Sequence, residues 1–261
     1  MRIYLAYSEN YHDILLQEKC RLIISYGRKH GSHLEPSLPS GFSEFLIDSG
    51  GFQIAMGTTE RDVNVSGYCL WLRFLLEKYG DMIHGYMSLD VGRNAELSYN
   101  NYLIMRTEGL SPIPVWHDGE DEALLREYCD MSEYVAIGGL VGGFLRSKSY
   151  YRRLFERIKV KYPEQKFHML GIGLLGVNAF RTFRPYSVDF STWNVAARFG
   201  HDIIYDKKQL LKEVKLPEEV RMRLRTDKEF EDGMVRQAVK KVLSLETELE
   251  KLNDPWQPTL W

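Results

Sequence analysis

The amino-acid sequence predicts an α/β protein, a closed (β/α)8 TIM barrel followed by a C-terminal helical extension. Short apolar runs typical of buried strands recur along the chain, and amphipathic helical patterns lie between most of them. Alternating strands and helices imply a parallel sheet, and eight such units in about 200 residues fit a (β/α)8 barrel. Several strands end in acidic or glycine residues, and the carboxyl ends of barrel strands form the catalytic mouth. An open, doubly wound sheet is the competing architecture.

The strands are predicted from short apolar runs bounded by turn-forming residues. These runs are Ile3–Tyr7, Phe45–Asp48, His84–Asp90, Pro112–His117, Tyr134–Leu140, Phe167–Gly171 and Ser187–Phe190, with His201–Tyr205 as a weaker eighth. Apolar residues at helical spacing predict helices between the strands. These helices are Tyr68–Lys78, Ala95–Thr107, Glu122–Cys129 and Tyr150–Val160.

The barrel is predicted to span residues 1–206, and a helical extension packed on the barrel is predicted for residues 207–261. The composition changes at this point, because Lys207–Glu231 is highly charged and is predicted to be helical. A stripe of apolar residues at alternating spacings of three and four follows, namely Val235, Ala238, Val242, Leu245, Leu249 and Leu252. The stripe favours a terminal helix packed on the barrel, and a homodimer contact is the alternative.

Length and composition are those of a soluble globular protein. The chain has 261 residues, of which 44% are apolar and 27% are charged. No apolar run approaches the length of a membrane span, and Met1–Tyr7 predicts a strand rather than a signal peptide. The net charge of −2 neither indicates nor excludes a nucleic-acid partner, because a local basic face decides that.

Neither the cysteines nor the histidines indicate a metal site. Cys20, Cys69 and Cys129 are far apart and form no CxxC pair, so we expect reduced packing residues of a cytosolic protein. His30 and His33 are close together, but the glycine and serine between them predict a loop. The sequence therefore predicts no bound metal.

The most informative stretch follows the predicted strand that ends at Asp48. Its sequence is Asp48-Ser49-Gly50-Gly51-Phe52-Gln53. The stretch puts an acid at the carboxyl end of a strand, followed by glycines that let another molecule approach the backbone closely. An aromatic face and an amide come next. This combination is suited to binding and protonating a flat heterocycle, and it indicates an enzyme that acts on nucleobases.

Two further acids, Asp90 and Asp189, end predicted strands in the same way as Asp48. A lone acid at a strand end commonly caps the next helix, which is the alternative role for each of them. Paired carboxylates in one pocket can instead divide their roles, one as an ionised nucleophile and the other as a proton shuttle. Breaking and remaking an N-glycosidic bond requires that division.

Glycines also mark two other strand ends. Gly138, Gly139 and Leu140 end a strand within a glycine-rich segment that lacks the dinucleotide-binding pattern G-x-G-x-x-G. Their backbone groups are expected to bind the edge of a planar ligand, and phosphate binding by this segment is the alternative. Leu170 and Gly171 end the next strand. Leu170 is expected to pack against one face of a heterocycle whose other face contacts the Phe52 ring, and an ordinary place in the barrel core is the alternative.

Together these motifs resemble those of the tRNA-guanine transglycosylase superfamily. Asp48–Gln53 looks like its DSGGFQ signature, Ala136–Leu140 looks like its AIGGL segment, and Leu170–Gly173 is similar to its MGVG strand. The motifs occur in the family's order, over more than half of the chain. By this resemblance, Asp189 is the nucleophile and Asp90 binds the guanine-type base.

The chain also departs from that family. It lacks the Cys/His zinc subdomain and is shorter than the tRNA enzymes. Val115–Gly119 replaces the family's Val-Gln-Gly segment, so His117, or less favourably Trp116, is expected to substitute for a base-binding Gln. Without the zinc region, the chain resembles the compact DpdA-like transglycosylases of phages and bacteria, which place 7-deazaguanines into DNA.

The resemblance implies a base exchange without a metal or redox cofactor. Asp189 would attack the sugar and Asp48 would move protons, so these are the expected catalytic residues. The expected substrate-binding residues are Ser49, Phe52, Gln53, Asp90, His117, Gly138, Gly139, Leu140, Leu170 and Gly171. The implied partners are DNA, with tRNA as the alternative, and the free 7-deazaguanine base, in the cytoplasm of the cell or of the host of a phage.

Basic residues close behind the glycine-rich segment predict a phosphate-binding surface. They are Arg146, Lys148, Arg152, Arg153, Arg157, Lys159 and Lys161, opposed by one acid, Glu156. Arg198 is a further candidate cation. A solvated helix face is the alternative interpretation. The alternatives for the whole chain are the same exchange on tRNA, a non-catalytic nucleic-acid-binding partner subunit, and a hydrolase that removes a base without replacing it.

Overall fold

The computed structural model describes residues 1–28, 36–59, 63–92, 94–140, 148–172, 177, 180, 183–206 and 210–251. Over these residues the chain has an α/β fold of the (β/α)8 TIM-barrel type, as the sequence predicts. An eight-stranded sheet is accompanied by helices that alternate with its strands. No helix in this part of the chain is both long and apolar enough to cross a bilayer.

Strands and helices alternate along most of the described chain. The strands are β1 (Arg2–Ala6), β2 (Arg21–Ser25), β3 (Phe45–Asp48), β4 (Ile83–Tyr86), β5 (Val115–His117), β6 (Tyr134–Gly138), β7 (Lys166–Met169), β8 (Ser187–Phe190), β9 (His201–Asp206) and β10 (Leu210–Lys215). The α-helices are α1 (His12–Gln17), α2 (Gly51–Met56), α3 (Val65–Tyr79), α4 (Ala95–Thr107), α5 (Glu122–Met131), α6 (Lys148–Lys161), α7 (Val195–Phe199), α8 (Glu218–Thr226), α9 (Lys228–Leu243) and α10 (Leu245–Lys251).

The sheet follows the order β4-β3-β2-β1-β8-β7-β6-β5. The described pairings within it are parallel, as in β2 with β3 and in β5 with β6. The two outermost strands meet just beyond β4 and before β5, where Met87 bridges Ile113. The amide of Ser88 donates to the Ile113 carbonyl at 2.8 Å. This bridge lies between the segment that follows β4 and the segment that precedes β5, the strands at the two ends of the sheet order.

By its internal packing the chain divides into two units. The first comprises Met1–Lys19, Leu140–Glu164 and Gly171–Trp261, and the second comprises Cys20–Gly139 and Gln165–Leu170. The second unit contains β2 to β7, and so it holds the ends of β3, β4, β5 and β6. The first unit contains β1 and β8, which pair in parallel with Tyr4 opposite Asp189.

One predicted barrel strand was wrong. His201–Tyr205 belongs to β9, which pairs antiparallel with β10 in a separate hairpin. The missing barrel strand is β2, whose central residues Leu22, Ile23 and Ile24 are buried. Its pattern was overlooked because α1, the helix before it, has only six residues, too few for a clear amphipathic signal.

The charged segment after the predicted boundary also differs from the expectation of continuous helix. Leu210–Lys215 forms the strand β10, and helix begins only at Glu218, directly after Pro217. The charged residues Lys212, Glu213 and Lys215 hid the strand, in which Leu211 is buried. Positions 207–209 lie outside the described residues. The division into residues 1–206 and 207–261 stays a prediction.

Helix α9 and its successor α10 are built into the first unit. The apolar stripe is buried at Val235, Ala238, Val242, Leu245 and Leu249, while Leu252 lies outside the described residues. The stripe thus packs within the chain, as expected for a terminal helix.

Polar contacts tie the same helices to the beginning of the chain. The amide of Ile3 in β1 donates to Glu246 at 2.7 Å. The Tyr11 hydroxyl donates to Glu231 at 2.7 Å. These contacts satisfy polar groups of the first strand and of the segment that follows it.

Candidate active site

The turn after β3 brings the signature segment into a tight, glycine-dependent conformation. Gly50 has φ = 90° and precedes α2. A β-carbon there would lie 2.6 Å from the backbone nitrogen of Gly27, so both the left-handed backbone and the close approach require glycine. Asp48 ends β3, and its carboxylate accepts a hydrogen bond from the Gly50 amide at 3.2 Å. The predicted acid therefore sits at the carboxyl end of its strand.

The buried carboxylate of Asp90 is the centre of the site in the second unit. It follows β4 in sequence, and the residue is only 4% exposed. The Ser49 hydroxyl donates to Asp90 Oδ1, and Ser49 Oγ in turn accepts from the Gly51 amide at 3.3 Å. The signature segment and Asp90, which are distant in sequence, are thus in direct contact.

His117 contacts the other oxygen of this carboxylate. Its Nε2 atom lies 3.1 Å from Asp90 Oδ2, and its Nδ1 atom lies 3.3 Å from Glu120 Oε1. The second Glu120 oxygen accepts from the His117 backbone amide at 2.8 Å. A β-carbon on Gly138, the neighbour of His117 in the sheet register, would lie 2.6 Å from the imidazole ring. Glycine at position 138 therefore makes room for the histidine.

The imidazole of His117 is charged at neutral pH. Burial disfavours the protonated ring, but hydrogen bonds and charge attraction from Asp90 and Glu120 outweigh burial and raise the pKa of His117 to about 10. The result is an imidazolium cation between two carboxylates, with a proton on each ring nitrogen.

Asp48 and Asp90 act electrostatically on the same buried phenol. Tyr68 is fully buried, and its hydroxyl donates to the Met87 carbonyl at 2.9 Å. Burial raises the pKa of Tyr68 well above its usual range, and the charges of Asp48 and Asp90 raise it further. The ends of β3 and β4 therefore gather the two predicted acids in one environment, where Tyr68 stays protonated.

The other expected base-binding groups of the signature segment differ in exposure. The Phe52 ring is 62% exposed and is open to a ligand. The side-chain oxygen of Gln53 accepts from the Ser25 hydroxyl at 3.2 Å, which ties α2 to the end of β2. A role for either side chain in ligand binding stays a prediction.

The glycine-rich strand end has some of its carbonyl groups engaged within the protein. The Gly138 carbonyl accepts from the Asp118 amide at 3.1 Å. Gly139 has φ = 70°, which favours glycine. In the first unit, the Leu140 carbonyl accepts from the Tyr151 hydroxyl at 2.7 Å. Positions 142 and 143, which belong to the segment considered for phosphate binding, lie outside the described residues. His30, His33 and Gly173 lie outside them as well.

Asp189 lies near the end of β8 in the first unit and is 9% exposed. Its Oδ1 atom accepts from the backbone amide of Gly171 at 2.5 Å, and Gly171 has φ = 56°. The left-handed backbone at Gly171 thus places its amide where it donates to Asp189, the predicted nucleophile, and this hydrogen bond orients the carboxylate. In the second unit, the Leu170 amide donates to the Ile137 carbonyl at 3.0 Å, and its side chain is half-buried.

The predicted phosphate-binding residues lie on and near α6, in the first unit. Arg152 and Arg153 are exposed there, and Arg152 lies 3.7 Å from Glu156. Arg198 on α7 is exposed as well, with its guanidinium 5.1 Å from the centre of the Phe199 ring. Lys148 is the first residue of α6, but its side chain lies outside the described residues, as does Arg146.

Sequence reasoning missed Glu120. It reaches His117 because the intervening segment forms a tight turn, in which the Glu120 amide donates to the His117 carbonyl at 3.0 Å. Gly119 has φ = 105° at the third position of this turn. An Asp-Gly pair is a turn signal, so the sequence did contain the information that brings position 120 back over position 117.

Comparisons with known proteins identify no family for this chain. No protein-family model matches it, and no curated protein matches it. A crystal structure of the BexX/CysO complex from Amycolatopsis orientalis is 14% identical, with a TM-score of 0.49, over 100% of this chain and 94% of that chain. The YdjI aldolase from Escherichia coli K12 is 10% identical, with a TM-score of 0.42, over 95% of this chain and 90% of that chain. Likenesses this distant say nothing about activity.

Proposed function

We propose that this protein is a base-exchange transglycosylase that replaces guanine in DNA with a 7-deazaguanine, such as 7-cyano-7-deazaguanine. The observation that carries the proposal is the buried Asp90 carboxylate, held by Ser49 and His117 in an environment that it shares with Asp48. These groups follow the carboxyl ends of parallel strands, where (β/α)8 enzymes keep their catalytic residues. The resemblance of the motifs to guanine transglycosylases supports the choice of reaction.

A carboxylate in this setting suits the recognition of a guanine-type base. Guanine presents neighbouring N–H donors, one on its ring and one on its exocyclic amine, and an ionised carboxylate accepts two such bonds. A buried acceptor also rejects bases without these donors, because its desolvated lone pairs would stay unpaired. Asp90 therefore binds the base edge, while the exposed Phe52 ring offers a stacking face.

In this reaction Asp189 attacks C1′ of the guanosine nucleotide through a carboxylate oxygen. The bond from C1′ to N9 of guanine breaks, and its electron pair leaves with the base, which takes a proton from the protonated form of Asp48. A covalent aspartyl-glycosyl intermediate remains. Asp48, now ionised, removes the N9 proton of the incoming 7-deazaguanine, which then displaces Asp189. Proton transfer by a positioned side chain is typically worth about 10²–10⁴-fold in rate.

The exposed arginines of α6 support a nucleic-acid substrate. Chemistry at the bond between sugar and base requires the nucleotide to be turned out of the stack, and the binding of phosphate groups supplies the affinity for the duplex. Arg152 and Arg153 are exposed neighbours on one helix and can contact adjacent phosphates. No metal or redox cofactor takes part in the proposed reaction, which belongs in the cytoplasm.

We expect the affinity for duplex DNA to fall steeply with salt through these arginines. Each phosphate contact contributes about −0.9 to the slope of log K against log salt. The double substitution of Arg152→Ala with Arg153→Ala should therefore make the slope about 2 less negative. Fluorescence anisotropy with a duplex oligonucleotide between about 50 and 200 mM salt measures the slope.

The control for this measurement is Arg225→Ala, which removes one exposed arginine from α8 in the same unit. It should leave the slope unchanged. An unaltered slope in the double variant would show that α6 is a solvated helix face and not a phosphate-binding surface.

The proposed function is tested by incubating the protein with labelled guanine and either duplex DNA or tRNA. Label incorporated into DNA supports the proposal, and label incorporated only into tRNA moves the same chemistry to RNA. Free guanine released with abasic sites and no incorporation would mean a hydrolase. Binding to nucleic acid without any exchange or release would mean a non-catalytic partner subunit.

A further inference from the structure

The turn from His117 to Glu120 forms a clamp on the Asp90 carboxylate. Glu120 contacts His117 twice, through the backbone amide at 2.8 Å and through ring Nδ1 at 3.3 Å. The other ring nitrogen, Nε2, lies 3.1 Å from Asp90 Oδ2. Asp90 lies in the loop after β4, His117 is the last residue of β5, and Glu120 lies in the turn that follows β5. We call Asp90, His117 and Glu120 the carboxylate clamp.

The hydrogen bonds of His117 give it an indirect role in ligand binding. Both ring nitrogens are occupied by carboxylates, so a ligand can bind the ring only if one of those contacts is broken. Asp90 differs, because each carboxylate oxygen has two lone pairs and each has one donor from Ser49 or His117. A ligand that reaches the carboxylate clamp therefore contacts Asp90, while His117 and Glu120 act on the ligand only through Asp90.

The titratable residues at the His117 ring and its partners are Asp90 after β4, Glu120 after β5, and Tyr128 on α5. Asp90 and Glu120 are the groups whose charges act on His117. Tyr128 on α5 also faces them, and burial together with the charge of Glu120 raises the pKa of its hydroxyl. Tyr128 therefore stays neutral, and the clamp holds one cation between two anions. Replacing the cation by a neutral group would remove the charge attraction that holds Asp90 Oδ2 against the ring.

We propose that His117 and Glu120 are positioning residues that keep the Asp90 carboxylate oriented, and thereby select bases with two adjacent N–H donors. The inference rests on the proposed function, since it names the determinant of base choice in that site. A base with the exocyclic amine gives both donors to Asp90. Hypoxanthine, which lacks the amine, gives one donor and leaves an acceptor unpaired, so it binds less well.

The test compares Glu120→Gln with the parent protein and with the control Glu96→Gln. Glutamine preserves the shape of Glu120 and can still accept from the His117 amide, but it removes the charge that supports the imidazolium. Glu96 is an exposed acid in the first turn of α4, in the same unit. His117→Gln is the second variant, because it retains one donor for Asp90 without the charge.

Two readouts separate this inference from the proposed function. The first is the titration of the His117 ring by ¹⁵N NMR, in which the parent should keep both N–H groups until near pH 10 and Glu120→Gln should lose one at lower pH. The second is the ratio of kcat/KM for guanine and for hypoxanthine in base exchange, with calorimetric binding of the free bases alongside it. We expect Glu120→Gln and His117→Gln to lower the guanine value about 10- to 100-fold, and to lower the hypoxanthine value less.

The outcomes distinguish the two claims. If the parent exchanges guanine but both variants retain its rate and its preference for guanine over hypoxanthine, the positioning role is wrong and the proposed function stands. If the parent exchanges no base, yet binds free guanine more tightly than hypoxanthine and loses that preference on Glu120→Gln, the clamp selects bases and the proposed reaction is wrong. Absence of both exchange and base binding overturns the inference.

Discussion

Asp189→Asn is expected to abolish the covalent adduct between protein and nucleic acid. An amide oxygen is a far weaker nucleophile than a carboxylate, so base exchange should fall by about 10⁴-fold or more. The variant should fold normally, because the asparagine oxygen can still accept the hydrogen bond that the Gly171 amide now donates to Asp189. Denaturing gel electrophoresis with labelled DNA detects the adduct, and incorporation of labelled guanine measures the rate.

The matched control is Asp202→Asn, another substitution of an acid by its amide in the same unit. Asp202 lies on β9 and forms an ion pair with Lys241, with 3.0 Å between Lys241 Nζ and Asp202 Oδ1. It should retain the adduct and the exchange rate of the parent. An adduct that persists in Asp189→Asn would refute the assignment of the nucleophile.

Gly51→Ala should disable the site by displacing Asp90. The added β-carbon would lie 2.2 Å from Asp90 Oδ2 and 2.5 Å from Oδ1, far inside normal contact distance. The carboxylate would have to rotate away and lose the contacts that hold it to Ser49 and His117. We expect a fall in the free energy of unfolding of about 1–3 kcal/mol, and a loss of exchange activity of about 10²-fold, because small misplacements of a binding group are costly.

Gly80→Ala is the control for this substitution. Gly80 has φ = −52°, and its β-carbon would meet no atom within 4 Å, so alanine fits there without strain. Urea titrations of both variants give the stabilities, and the exchange assay at a temperature where both are folded gives the activities. Full activity in Gly51→Ala would mean that the position of Asp90 does not matter for the reaction.

Much of the fold could be predicted because the helices carry strong local signals. Ala95–Thr107 was predicted from its apolar spacing with the bounds that the structure has. The side chain of Asn94 caps this helix and accepts from the Leu97 amide at 3.0 Å. Strand β2 could not be recognised in the same way, because a helix of only six residues precedes it. Strand β9 looked like a barrel strand because its short apolar run, Ile203-Ile204-Tyr205, has the same character as the core of a parallel strand.

The candidate site was predictable in its parts and not in its contacts. Asp48, Asp90 and His117 stood out because each ends a predicted strand. That Ser49 would donate to Asp90 depends on the register of neighbouring strands, which a single sequence does not specify. Glu120 was overlooked because its role depends on a turn geometry rather than on its own residue type.

The tie between β1 and the last helices limits how this protein can be shortened. A fragment ending near residue 206 would remove the acceptors of the Ile3 amide and the Tyr11 hydroxyl, and would uncover the core that Val235 and Val242 now fill. Full burial of a valine side chain is worth about 1.5–3 kcal/mol, and the loss of several such side chains is a large share of the stability of an ordinary domain. The C-terminal helices thus belong to the minimal folding unit, and expression of an isolated barrel fragment would produce an insoluble or unfolded chain.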